Sequence, residues 1–206
     1  MTNPLIEAIT KRDAPLALEI VVSQPDLVRD RDKNGLSPLM LALYNGLEEV
    51  AAAVMPGAGQ LDIFEAAAIG DTERLSVLLP DRAAANVWSS DGFTPLHLAA
   101  FFGRVPAVRL LIARGADLET PSRNQQFAGD ARPLHSAVAA QQREVAAVLL
   151  EAGADPNARQ HGGFTPLLAA AQSGNAELVE LLLRHGADQS ARLPDGRSAQ
   201  DLARLP

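Results

Sequence analysis

The segment Gly163-Phe164-Thr165-Pro166-Leu167 copies Gly92-Phe93-Thr94-Pro95-Leu96 residue for residue, and weaker copies recur along the chain. The motif prolines set the spacing. Pro95 to Pro133 is 38 residues and Pro133 to Pro166 is 33, while Gly70 to Gly103 is again 33. A period near 33 means an array of small stacked units. It points to a surface that binds something rather than to a pocket that performs chemistry, and it leaves the partner open.

Each unit has a local physical logic. Thr94 and Thr165 stand where a helix N-cap belongs, with Pro95 and Pro166 at the first helical position. The threonine oxygen takes an orphan amide, and proline has no amide to leave unpaired. Leu96, Ala99 and Ala100 then form a short helix with a small-residue apolar face, ended by Gly103, as Gly174 ends its counterpart. A second helix follows, apolar at Val108, Leu110, Leu111 and Ile112, or at Leu178, Val179, Leu181, Leu182 and Leu183. Gly115, Gly153 and Gly186 come next, at the left-handed capping position. Such helices of two to three turns fall below the roughly 12 to 15 residues that an isolated helix needs in water. Neighbouring units must therefore stack to bury their faces.

Composition narrows the function. The 206 residues are 47% hydrophobic but only 4% aromatic, so the core must be built of Ala, Leu and Val. There is no cysteine, which excludes disulfides, thiol catalysis and Cys-based metal sites. The net charge of −7 is a poor match for nucleic acid, which wants a basic face. Residues Met1 to Lys11 lack the pattern of a signal peptide, and no run approaches the roughly 18 to 20 apolar residues of a membrane span. These features predict a soluble, cytoplasmic protein that binds neither nucleic acid nor membrane.

The stretch Thr94-Pro95-Leu96-His97-Leu98-Ala99-Ala100, with Gly103 and Leu110-Leu111-Ile112-Ala113-Arg114-Gly115-Ala116-Asp117, resembles the ankyrin-repeat pattern nearly residue for residue. The resemblance is to bacterial-type ankyrin-repeat proteins and covers almost the whole chain. It implies an all-α solenoid of stacked helix–turn–helix units with β-hairpin finger loops. About six repeats are expected in one domain over 1–206, at 4–31, 32–58, 59–88, 89–121, 122–159 and 160–192. A capping helix led by Ser198 follows within 193–206.

Two irregularities interrupt the period. Gly46 to Gly70 is 24 residues, nine short of 33, with the shortfall after the second helix of repeat two around Met55-Pro56-Gly57. That junction has no room for a finger. The 38-residue step adds five residues near Ser122 to Arg132, predicting an enlarged finger that carries Phe127. Neutral loop drift explains either one equally simply, since loop length is cheap to change.

No catalytic constellation is visible. The four histidines are 24 or more residues apart and lack metal-ligand spacing. There is no Gly-x-Ser-x-Gly elbow and no phosphate-binding loop. By resemblance, His97 and His135 are structural groups bonded to the motif threonine and neighbouring loops. Arg132 replaces that threonine in repeat five, which leaves the bond of His135 in question. No enzyme activity, metal or cofactor is expected.

The resemblance also places a binding surface. Finger tips and the exposed ends of the first helices line the concave face of such arrays. The corresponding positions, with adjacent finger segments, are Tyr44, Asn45, Ile69, Trp88, Phe93, Phe101, Phe102, Phe127, Phe164 and Gln172. Gathering rings on one face of an aromatic-poor chain suggests a hot spot. Ala139 and Ala140 would leave a depression beside the Phe101–Phe102 ridge. Against this, a ring before the motif threonine often packs between fingers, so Phe93 and Phe164 also read as scaffold. Phe64, on the first helix of repeat three, reads as core. The expected function is a non-catalytic, monomeric module for an unidentified protein partner. A small-ligand or enzymatic role in the groove, or stabilisation of a neighbouring protein, stands as the alternative.

Overall fold

A computed structural model describes residues 3–57, 59–124 and 129–203. Two compact units are present, residues 1–65 and residues 66–206. The first contains α1 (Pro4–Thr10), α2 (Ala14–Ser23), α3 (Pro38–Tyr44) and α4 (Glu48–Val54), and the division falls inside α5 (Ile63–Ile69). The second continues with α6 (Thr72–Leu78), α7 (Pro95–Phe101), α8 (Val105–Ala113), α9 (Pro133–Ala139), α10 (Arg143–Glu151), α11 (Pro166–Gln172), α12 (Ala176–Arg184) and α13 (Ala199–Leu202).

The helices begin where their caps put them. Ser37, Thr94 and Thr165 accept the amides of Met40, His97 and Leu168 at 3.2, 3.4 and 3.3 Å. A proline follows each cap, at a position where no amide is needed. At the other end, Gly46, Gly103 and Gly174 turn the chain with φ near +70° before the second helix of each pair. In repeat five this place is held by Gln141, at φ 58°. A side chain in the left-handed region costs about 1 kcal/mol or more. Gln141→Gly is therefore expected to raise the folding free energy by about 1 kcal/mol, read as a higher urea midpoint. An unchanged or lowered midpoint would show that the glutamine's own contacts outweigh the strain.

Stacking follows from the apolar faces. In residues 1–65, α1 packs on α3 and α2 on α4. In residues 66–206 the first helices stack as α7, α9, α11 and α13, and the second helices as α6, α8, α10 and α12. Leu96, Leu98, Leu111, Leu134, Leu149, Leu168 and Leu178 are fully or almost fully enclosed between these layers. Each contributes on the order of 2 kcal/mol of burial, and none of it is available to an isolated unit. Phe64, expected in the core, is only half-buried in the first turn of α5. The junction before it supplies no finger to cover the ring.

The fingers are tighter than hairpins of strands. No strand forms among the described residues, and a lone bridge joins Arg192 to Ser198. Four fingers use one turn, in which a residue donates to the carbonyl four positions on and accepts from the amide three positions on. Asp32 pairs with Gly35 and Leu36, Ser89 with Gly92 and Phe93, Gln160 with Gly163 and Phe164, and Leu193 with Gly196 and Arg197. The longer loop of repeat five closes by a Ser122 N–H to Ala131 carbonyl bond of 2.8 Å. Its Phe127 lies outside the described residues.

At the short junction the chain passes directly into α5. Asp62 caps it, accepting the amides of Phe64 and Glu65 at 2.9 Å each, and Glu65 reaches back to the Asp62 amide at 2.9 Å. The Asp62–Glu65 box thus replaces the threonine–histidine pair of the regular motif. Glu65 is buried, and Arg31 lies 3.7 Å from it and 3.0 Å from Asp62.

Candidate partner-binding surface

Hydrogen bonds at the starts of α7 and α9 tie successive repeats together. His97 is 1% exposed. Its Nδ1 accepts the Thr94 amide at 3.3 Å and lies 2.7 Å from the Thr94 hydroxyl. Its Nε2 faces the Ala131 carbonyl at 2.9 Å, which can only accept. The ring is therefore the neutral Nε2–H tautomer, tying repeat four to the loop of repeat five. Burial pushes its pKa down to about 4, against the pull of that carbonyl bond.

His135 repeats the arrangement with a substitute. The Arg132 amide donates to Nδ1 at 3.1 Å, and Nε2 donates to the Phe164 carbonyl at 3.4 Å. The ring thus keeps the backbone half of the bond and loses only the hydroxyl. Burial again lowers its pKa to about 4.

The candidate contacts lie at the other ends of these helices. Phe101 ends α7 and Phe102 caps it, their rings edge to face with centroids 5.1 Å apart. Phe101 is 38% exposed and is the one Phe, Tyr or Trp among the described residues with that much surface open; Phe102 is half-buried. On the neighbouring α9, Ala139 is exposed and Ala140 half-buried. Gln142 Nε2 donates to the Phe101 carbonyl at 3.4 Å, linking the two helix ends. On α11, Gln172 is exposed.

The other candidates are more deeply engaged. Phe93 is half-buried with its ring 5.9 Å from His97. Phe164 packs on the cluster of Leu168, Ala171, Ala191, Leu193 and Leu202. Trp88 donates its indole N–H to the Pro121 carbonyl at 3.3 Å, and the Arg123 guanidinium lies 3.5 Å above its ring. Ile69, at the end of α5, is half-buried. Tyr44 and Asn45 belong to residues 1–65, where Asn45 bonds the Leu41 carbonyl at 2.8 Å and accepts from Arg12 at 3.2 Å. Phe101, Phe102 and the α9 alanines are thus brought to adjacent helix ends, while Phe93 and Phe164 are held in the packing between fingers.

A second set of functional scaffold residues escaped sequence reasoning. Asn86 donates to the Gly115 carbonyl at 3.0 Å and accepts the Asp117 amide at 2.8 Å. Asn157 does the same to Gly186 and Asp188, at 3.1 and 2.7 Å. Glu119 holds the corresponding place between them and accepts the Asp155 amide at 2.8 Å. Desolvation leads in raising its pKa. The signal was present as a polar residue two positions after each Ala-Asp or its equivalent.

No group of His, Cys, Asp and Glu among the described residues could hold a metal ion, and no described helix is long and apolar enough to cross a membrane. The sequence model described as "Ankyrin repeats (3 copies)" matches residues 63–160 and again 134–203. The chain belongs to the ankyrin-repeat family. Ankyrin repeats as a class are protein-interaction modules. In ankyrin terms, the matched stretch holds Ile69, Trp88, Phe93, Phe101, Phe102, Phe164 and Gln172, and Tyr44 and Asn45 precede it.

Curated ankyrin relatives are much longer. "Neurogenic locus notch homolog protein 4" of Homo sapiens is 38% identical over 135 residues, which is 65% of this chain and 6% of that protein. "Protein phosphatase 1 regulatory subunit 12A" of Mus musculus is 42% identical over 65 residues, 32% of this chain and 6% of that protein. "B-cell lymphoma 3 protein homolog" of Mus musculus is 30% identical over 156 residues, 74% of this chain and 31% of that protein. The chain spans less than a third of each.

Proposed function

We propose that this ankyrin array is a non-catalytic module that engages a partner protein through the groove side of repeats three to five, centred on Phe101 and Phe102. The observation that carries the reading is the exposure of the Phe101 ring in a chain whose other described Phe, Tyr and Trp rings are more covered. Exposed aromatic surface beside small alanines is costly to leave in water and suits a well-packed contact. The Gln142 bond to the Phe101 carbonyl links the two helix ends, which supports binding with little reorganisation. On this reading the chain works as a monomer in the cytoplasm, with neither cofactor nor nucleic acid.

The test is capture of partners from the native host lysate by the wild-type chain beside Phe101→Ala/Phe102→Ala. Loss of at least about tenfold in affinity is expected for a partner that uses this patch, with the thermal midpoint of the variant close to wild type. A partner held equally by both proteins removes the patch from the interface.

A further inference from the structure

The groove side has two chemically distinct zones. Its floor, made by the ends of α7, α9 and α11, shows Phe101, Phe102, Ala139, Ala140, Gln141, Gln142, Gln172 and Ser173, with no charge. The adjoining fingers are different. Arg123, Arg159 and Arg192 are all exposed on successive fingers of a chain whose net charge is −7.

These fingers form one continuous row. Arg123 N–H donates to the Gly92 carbonyl and His161 N–H to the Gly129 carbonyl, both at 2.8 Å. Arg159 Nη1 then bridges the Gly163 carbonyl at 3.0 Å and the Arg192 carbonyl at 3.1 Å. Arg192 Nη1 holds the Gly196 carbonyl at 3.2 Å. The two guanidiniums are thus oriented by backbone bonds at one nitrogen each. Among the described residues their other N–H groups make no hydrogen bond, and none of the three arginines has a carboxylate within ion-pair distance.

Two of the acidic groups nearby are engaged by other residues. Asp91 accepts from the Ser89 hydroxyl, and Asp195 is paired with Arg197 at 2.7 Å. Asp130 is exposed on the finger of repeat five. The Asp188 pKa is lowered first by the Ser190 hydroxyl and amide, and in smaller part by the Arg159 charge. What remains is a row of pre-oriented forks, suited to carboxylates because a guanidinium presents paired donors in their geometry.

We propose that the groove takes an extended acidic segment of a partner protein, with an apolar side chain against Phe101 and carboxylates on Arg159 and Arg192. This rests on the module reading above and adds the partner's chemistry. Layers about 10 Å apart place the cap finger roughly 30 Å from repeat four. At roughly 3.4 Å per residue, an extended segment of about nine residues spans that distance. Nucleic acid would also present anions, but the chain carries a net charge of −7, which repels a long polyanion more than it repels a short acidic segment.

The experiment is a selection of random peptides of roughly twelve residues, displayed on phage, against the full chain. Winners are then titrated as labelled peptides. Enrichment of an apolar residue followed by Asp or Glu supports the proposal. Arg159→Gln/Arg192→Gln is expected to weaken such peptides about tenfold and to flatten their salt dependence, while Arg159→Lys/Arg192→Lys recovers part of the loss. Winners that are neutral or basic, yet lost with Phe101→Ala/Phe102→Ala, overturn the acidic class and leave the groove reading standing. Winners indifferent to both pairs of substitutions, or no winners at all, overturn both. Displacement of the peptides by a single-stranded oligonucleotide at equal concentration assigns the arginine row to nucleic acid instead. Circular dichroism and thermal midpoints of all variants establish that they fold.

Discussion

Between pH 7 and pH 4 the chain is expected to lose about 3 kcal/mol of folding free energy for each buried histidine, about 6 kcal/mol for His97 and His135 together. Both pKa values are lowered from 6.5 to about 4 by burial. The unfolded chain takes up protons as the pH falls through 6.5, and the folded chain does so only near 4. Their stabilisation is thus whole above about pH 6.5 and drains away on the way down to 4. Glu119 acts in the opposite direction, since its raised pKa makes the folded form tolerate low pH better. A loss of this size is comparable to the whole stability of a small domain. Urea midpoints across the pH range are the measurement, with His97→Gln beside the wild type. The variant is expected to be less stable at pH 7 and to show roughly half the slope. A flat wild-type profile would mean that neither imidazole is held neutral by burial.

Gly92→Ala is expected to cost about 2 to 3 kcal/mol, combining the left-handed penalty with displaced finger backbone. Gly92 has φ +87°, and a Cβ there would stand 2.7 Å from Arg123 C and Asn124 N. Backbone atoms cannot swing aside as a side chain can. The Arg123 N–H to Gly92 carbonyl bond and the stacking of Arg123 on Trp88 lie next to the intrusion. Gly174→Ala is the control, because its φ is +68° but nothing lies within 4 Å of the added carbon. About 1 kcal/mol is expected there. Equal thermal shifts for the two would show that the neighbouring finger yields freely and that the close approach carries no energy.

Much of the scaffold was legible because it is local. Threonine or serine before proline reports a helix start, and Ser37, Thr94 and Thr165 all cap helices, as does Ser198 before Ala199. Glycine after the second helix reports a left-handed turn, found at Gly115, Gly153 and Gly186. These signals depend on backbone torsions and on amides a few residues away, so a short window contains them. Gln141 was not legible in that way. Nothing in its identity announces φ 58°, and only its register between Gly103 and Gly174 does.

The candidate surface was less legible because exposure is a property of neighbours. On paper Phe93 and Phe164 already read as scaffold as well as contact, while Phe101 and Phe102 could not be told apart. Packing then put Phe164 against Leu193 and Leu202, set Phe93 beside His97, and opened Phe101 most to water. The replacement of a motif threonine by Arg132 raised a doubt about His135 that a backbone amide resolves.

Repetition at a 33-residue period, with its caps and turns, required a stacked helical array in the ankyrin manner, since each unit carries apolar faces it cannot cover alone. Tertiary structure decided the rest. The orientation of Arg159 by the next finger's carbonyl, the bonding of Trp88 to Pro121 and the ladder of Asn86, Glu119 and Asn157 all join residues about one repeat apart. Such contacts depend on how closely two units approach, a distance set by the side chains of both layers at once.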